Sequence, residues 1–512
     1  MPGRHRRHNT ATPEPPTEKP PAQSFARRLW AGVLAVVLVA GGAGVYQQVF
    51  RRRGTNGASA PPPNVLLISI DTLRPDHLGC YGYRRQTSPR IDRLAVEGVL
   101  FENHISSSSW TLPAHAALFT SLSDSVHGCT DTDKKLADNV VTLAEKFAQA
   151  GYQTVGFFSG PYLHPAFGLG RGFAHYEDCT SYASVLDHYP VDAWAMDENV
   201  MRASHRDITS PRVYAAFKKW FNEHRGSRFF MFIHLWDPHF DFIPPPPYDT
   251  LFDPNYTGDI TGTDFFFDPR INRTMPARDL QHLVALYDGE IAWTDSYVGK
   301  ILDDFQQAGL LDHTVVALTS DHGTEFFEHG NKGHRKTLFD ESIRIPLLLR
   351  YPARLAAGVR VHAQTRAIDV GPTLLELAGV SSTVPVMGRS LVPLGLNPAL
   401  PFDETAVSEL FSVGHRVRSL RTLQWKFFAN LNLGQFFYIN LAADPAEVHR
   451  HRDLTEGRGR RLAERYQAVV KRLQTWRARV SAAPTTSEIP ERVRRQLESL
   501  GYVAPSESQP AP

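Results

Sequence analysis

Three cysteines in 512 residues, Cys80, Cys129 and Cys179, are too few and too scattered for a disulfide framework or a zinc cluster. They read as small apolar residues for the interior. An excess of one charge is also missing. With 55 Lys and Arg against 53 Asp and Glu, the formal charge is +2, and nothing argues for a nucleic-acid partner. There is no internal repeat and no long low-complexity tract. Long uncharged runs are scarce as well, with one exception at 29–46. What remains is a chain with 42% hydrophobic residues, enough for one large or two unequal domains.

The one long apolar run, Leu29 to Tyr46, is at the short end of what spans a bilayer. Arg4, Arg6, Arg7, Lys19, Arg27 and Arg28 precede it; Arg51, Arg52 and Arg53 follow. The larger positive cluster predicts a single-pass anchor with a cytoplasmic N-terminus and everything after Arg53 exported, to the periplasmic or extracellular side. A cleaved signal peptide is the alternative, but a charged lead of 28 residues is long for one.

After a short linker, apolar strand-like runs alternate with helical patterns. Strands are expected over 65–70, 154–158, 229–235, 314–318 and 345–350, and helices over 89–97, 113–122, 140–150, 213–224, 286–308 and 370–378. This alternation predicts a doubly wound, largely parallel sheet with helices on both faces. Beyond about residue 395 the pattern changes to short antiparallel strands over 416–420, 425–429 and 435–441 and a charged helix over 459–480, a smaller C-terminal α+β subdomain. Two loops, 240–254 with Pro244 to Pro247 and 255–273, read either as lids over a substrate or as plain surface excursions.

Two of the apolar runs end in acid. Val65 to Ile70 leads into Asp71, and Val315 to Leu318 is soon followed by Asp321-His322-Gly323. Strands of this kind deliver residues to the sheet edge where ligands bind. Between them lies Trp110-Thr111-Leu112-Pro113-Ala114-His115, a hydroxyl at the start of a helix. Two acids, a histidine and a hydroxyl suit a divalent cation, an oxygen nucleophile and an oxyanionic ester.

In order and spacing, Ile70 to Asp76, Thr111 to His115, Asp237-Pro238-His239, Asp321-His322-Gly323, Gly333-His334, Phe339-Asp340-Glu341 and the late Leu441 to Glu447 and Leu500 to Tyr502 resemble the sulfatase family of the alkaline phosphatase superfamily. The resemblance runs from Asn64 to about Val503. It implies an alkaline phosphatase-like fold with a catalytic domain at 64–395 and the C-terminal subdomain at 396–503, while composition gives a basic Pro-rich tail at 1–28, a transmembrane anchor at 29–46, a linker at 47–63 and a tail at 504–512.

The resemblance also assigns roles. Asp71, Asp321 and His322 are the expected metal ligands. Thr72 stands where the strongest form of the family has a second acid, and an Asp–His set suits zinc or manganese at least as well as calcium. Thr111 occupies the position of the nucleophile, where most members carry a Cys or Ser that is oxidised to formylglycine. A threonine cannot give that aldehyde, so no formylglycine is expected. A sulfated threonine lacks the elimination route of an aldehyde hydrate, whereas a phosphorylated one is resolved by in-line attack of water at phosphorus. His115 stands in place of a family Arg, and Gly156-Phe157-Phe158-Ser159-Gly160 replaces a Gly-Lys-x-His-x-Gly segment.

His239 and His334 are implied as acid/base groups or substrate contacts, and Arg74, His115 and Arg335 as substrate contacts. Asp237, His239 and His334 are a candidate second cation set, and His234, inside a strand, reads as packed. The reading that follows is a membrane-anchored metallohydrolase of sulfuric or phosphoric esters, using in-line attack by a metal-bound Thr111. An envelope phospho-headgroup transferase and a non-catalytic binding protein stand as alternatives.

Overall fold

The computed structural model describes residues 61–180, 208–402, 405–412, 414–480, 485–499 and 503. The expected anchor at 29–46 and the tail at 504–512 lie outside these. Among the described residues no helix is long and apolar enough to cross a membrane.

The centre is an eight-stranded sheet. In chain order its strands are β1 (Asn64–Ile70), β2 (Val99–Ile105), β3 (Gln153–Phe158), β4 (His175–Asp178), β5 (Phe229–Leu235), β6 (Thr314–Ser320), β7 (Arg344–Arg350) and β8 (Val359–Arg366). Across the sheet the order is β8-β2-β7-β6-β1-β5-β3-β4. All pairings are parallel except those of β7, which runs antiparallel to both neighbours. Pro346, which has no N–H to donate, falls at the register shift between β7 and β2.

Strand pleating explains the two-sided burial. Val65 and Leu67 of β1 enter one core with Leu112, Phe147 and Leu374. Leu66, Ile68 and Ile70 enter the other with Ile91, Phe217 and Ile301. The first core is roofed by α2 (Thr111–Thr120), α3 (Leu143–Gln149) and α6 (Val370–Ala378); the second by α1 (Pro89–Glu97), α4 (Ser210–His224) and α5 (Ala277–Gln307).

Three strands escape the apolar pattern for visible reasons. β2 is interrupted by Glu102, Asn103 and His104. β4 and β8 are the two edges, largely exposed in β4 and half polar in β8. Helix α5 begins at Ala277, nine residues before its apolar stripe becomes evident.

The C-terminal strands β9 (Ala406–Leu410), β10 (Val417–Arg421), β11 (Trp425–Asn430) and β12 (Gln435–Asn440) form an antiparallel meander. Against it lies α7 (Gly457–Val480), whose Leu462 and Tyr466 meet Leu420, Phe427 and Ala429. The meander is tied to the larger sheet through Asp340. Its carboxylate accepts from Arg421 Nε at 2.9 Å and from Lys426 Nζ at 2.9 Å, and Lys426 also pairs with Glu447 at 2.9 Å.

Candidate metal and nucleophile centre

Three adjacent parallel strands, β6, β1 and β5, end at the same sheet edge. Register places Ile70 opposite Ser320 on one side and Ser69 opposite His234 on the other, so Asp71 and Asp321 leave the sheet side by side. Gly323 follows because a Cβ there would lie 2.0 Å from the Glu341 carbonyl oxygen. Thr72 sits at φ +54°, an uncommon conformation for a β-branched residue, held by its hydroxyl donating to Pro238 O at 2.9 Å.

Helix α2 delivers the hydroxyl. Thr111 is its first residue and Trp110 its cap position, with no side-chain cap bond. Thr111 is therefore not itself the capping residue, and its Oγ1 points instead into the sheet edge. It lies 3.5 Å from Asp71 Oδ2 and 3.3 Å from His322 Nε2. Arg335 steadies this helix start: its guanidinium stacks 4.3 Å over the Trp110 ring, and its backbone N–H donates to Ser109 O.

The ligand atoms converge. Asp71, Asp321 and His322 each bring one within 4.8 Å of the others, and so do His115, His234 and Asp321. All five side chains are buried. Asp321 Oδ1 accepts from the backbone N–H of His322 at 2.8 Å and of Thr72 at 3.3 Å, which turns Oδ2 inward. Asp71 Oδ1, Asp321 Oδ2 and His234 Nε2 have no hydrogen-bond partner.

The imidazole tautomers sharpen this. His322 Nδ1 meets Gly323 O at 2.9 Å, and His234 Nδ1 meets Ser159 O at 2.9 Å. A carbonyl oxygen only accepts, so each Nδ1 carries a proton and Nε2 is the atom that each ring turns to the centre. Burial pushes His234 down to about 4, so the ring is neutral. Its Nε2 nevertheless lies 3.5 Å from Asp71 Oδ2, while His322 Nε2 lies 3.3 Å from Asp321 Oδ2. The neutral His234 Nε2 and the Asp71 oxygen are two acceptors face to face, which repel unless a cation lies between them. Burial pushes Asp71 up to about 6, against the opposing pull of His322 and Thr111. These residues fit a divalent cation held by two carboxylate oxygens and imidazole nitrogens.

His234, which the strand pattern alone assigns to packing, is thus brought to the centre. The available signal was a polar residue inside an otherwise apolar strand, one position from its end. His334 lies beside the centre, its ring 4.5 Å from His322 and 5.0 Å from His239, and its Nδ1 has no partner. Burial, with His322, His239 and the neighbouring Arg335 and Lys336, holds His334 well below the usual histidine range. Phe240 and Phe266 line the same side, Phe240 being 5.4 Å from His334.

Other expected residues have protein partners. His115 places Nδ1 2.9 Å from Thr111 O and Nε2 3.1 Å from Ser69 Oγ. Arg74 is held by Asp76 and Glu328 and donates to Thr324 O. Arg335 donates to Ser412 Oγ at 2.6 Å. The candidate second set of Asp237, His239 and His334 does not form, because Asp237 turns to the start of α4 and accepts from Thr209 and Ser210. The three cysteines are free thiols, two buried and Cys80 half-buried.

Known proteins resemble this chain in sequence and in fold. A family model described as Sulfatase matches residues 63–380, and one described as N-sulphoglucosamine sulphohydrolase, C-terminal, matches residues 328–473. The chain is 22% identical over 466 residues to an N-acetylglucosamine-6-O-sulfatase of Bacteroides thetaiotaomicron, covering 76% of this chain and 82% of that protein. It is 25% identical over 403 residues to an ulvan-active sulfatase of Formosa agariphila, covering 75% and 76%. A solved structure of a phosphonate monoester hydrolase of Agrobacterium radiobacter superposes with a TM-score of 0.64 at 21% identity, covering 84% of this chain and 98% of that one. The structure of BT4656 with its substrate D-glucosamine-2-N,6-O-disulfate gives 0.65 at 18%, covering 81% and 98%.

Proposed function

The chain belongs to the sulfatase family, and from that premise we propose that it is a metal-dependent hydrolase in which an unmodified Thr111 attacks a phosphoric ester in preference to a sulfuric one. The observation that carries this reading is the convergence of Asp71, Asp321, His322 and His234 acceptor atoms beside the Thr111 hydroxyl. Asp71, Asp321, His322 and His234 would hold a divalent cation, which would supply positive charge to the ester oxygens and lower the pKa of an oxygen beside it.

The chain's own residues supply the rest. With His322 Nε2 committed to the cation, the Thr111 hydroxyl hydrogen passes to the Asp71 carboxylate at Oδ2, 3.5 Å away, and its loss leaves Oγ1 as an in-line nucleophile. Helix α2 aims its positive end at the same point. His334, neutral in its buried setting, and His239 beside it hydrogen-bond the ester or its leaving group. Phe240 and Phe266 keep water from that side.

Thr111 decides between sulfur and phosphorus. Relatives of this fold bear the names of sugar-sulfate and phosphonate-ester enzymes. A covalent sulfothreonine has no aldehyde-hydrate exit, whereas phosphothreonine is open to water in line at phosphorus. The run at 29–46 would tether this site to a membrane, with the catalytic part on the exported side.

The test is Thr111→Ala, assayed on matched aryl phosphates and aryl sulfates. The variant should retain metal and fold and lose turnover by at least about a thousandfold. Near-normal turnover would remove Thr111 from the nucleophile's role.

A further inference from the structure

A second group of metal-ligating side chains closes the base of a neighbouring loop. The chain runs from Glu325–Phe326, which pairs with Lys332–Gly333, through His334 and Phe339 to Glu341. Glu325, His329 and Glu341 each bring a ligand atom within 4.8 Å of the others. Glu325 is fully buried, and the His329 and Glu341 side chains are 7% and 9% exposed. Phe339 stacks on the His329 ring, centroids 3.6 Å apart and planes 9° apart, which fixes its direction. His329 Nδ1 lies against Glu341 Oε1. Glu325 Oε2 and His329 Nε2 are both buried without a hydrogen-bond partner.

The charge balance shows what the group lacks. Surrounding acids have cations of their own: Glu328 pairs with Arg74, Asp340 with Arg421 and Lys426, and Glu447 with Lys426. Lys336 Nζ lies 5.0 Å over the Phe266 ring. Glu341 then has the His329 ring as its partner, and Glu325 has that ring and, at longer range, the Lys336 ammonium. A divalent cation with a neutral ring balances both carboxylates. Two carboxylates and one imidazole suit Zn²⁺ or Mn²⁺. The outer hydrogen bonds are in place too, since Thr337 Oγ1 and Ser342 Oγ both donate to Glu325 Oε1.

We propose that Glu325, His329 and Glu341 form a second divalent-cation site, separate from Asp71, Asp321 and His322, that clips shut the loop carrying His334. Its ligands sit at both ends of that loop, so a bound cation removes the freedom of the intervening chain and holds His334 against His322 and His239. The cation site stands independently of the ester chemistry; its effect on His334 rests on that reading.

The test uses the full-length chain in detergent, stripped with chelator, reloaded with ZnCl₂ or MnCl₂, dialysed and analysed for metal. Wild type should hold two ions per chain. Asp321→Asn should hold one, Glu325→Gln/His329→Gln one, and the combined variant none. Added Zn²⁺ should raise the melting temperature of Asp321→Asn but not of the combined variant. Asp321→Asn alone leaves the loop group intact, so it decides the matter even if loop variants misfold: one retained Zn²⁺ supports the site, and none contradicts it. If Asp321→Asn keeps two ions while the loop variant loses one, the loop site stands and the first centre is misassigned.

Discussion

Two buried clusters of charge in this chain are built by opposite rules. At the junction with the C-terminal meander, every acid has a base: Asp340 meets Arg421 and Lys426, and Glu447 meets Lys426. At the sheet edge, Asp71 and Asp321 face imidazole nitrogens and a hydroxyl, and among the described residues no lysine or arginine pairs with either. Complete pairing makes the first cluster a structural joint. Incomplete pairing leaves the second with charge to give to a ligand, a local cost that folding by itself would remove.

The contrast is broken most severely by Asp71→Asn or Asp321→Asn. Each should reduce metal affinity by more than the ~10–100-fold typical of losing an outer partner, and with it turnover. Neither should lower the melting temperature of the metal-free protein, because a repulsive charge is gone. Metal analysis and a chelated melt check both halves.

Next comes Lys426→Met at the joint. It strands Glu447 and should destabilise the fold by about 3–5 kcal/mol, the range for breaking a buried pair, while metal content stays unchanged. Denaturant unfolding measures the first, and elemental analysis the second. Equal loss of metal would mean that the two clusters are not separable.

His234→Asn sharpens the comparison on the other side. If Nε2 faces a cation, affinity should fall by roughly 10–100-fold with little change in stability. A wild-type affinity would return His234 to packing.

The smallest effect concerns acid. Burial works to raise Asp340, but Arg421 and Lys426 outweigh it and hold the carboxyl well below the usual range. Since the folded-state value is depressed, this stabilisation is complete above about pH 4, the unfolded value, and is lost as pH falls below it. Melting temperature should therefore drop on acidification below pH 4 in wild type, and less steeply in Asp340→Asn.

Much of the centre is legible in the sequence because its residues sit at strand ends. Asp71 and Asp321-His322 close apolar runs, and Thr111 opens a helix, so local pattern points to each. His234 is not legible in this way, because its meaning depends on β5 lying next to β1, a pairing no local pattern states. Asp237 fails for the complementary reason. It stands in a suggestive motif, yet the start of α4, some 27 residues earlier, claims its carboxylate. The edge strands β4 and β8 are missed because half-exposed strands carry polar residues where a buried one would not.

The measurement that bears most directly on the central claim is an acid quench of the enzyme during turnover of an aryl phosphate, followed by digestion and mass analysis of the peptide containing Thr111. A phosphorylated Thr111, formed in a burst and absent when the substrate is left out, is the predicted result. An unmodified Thr111 peptide during steady turnover, with sulfate esters cleaved faster than phosphate esters, would contradict the account.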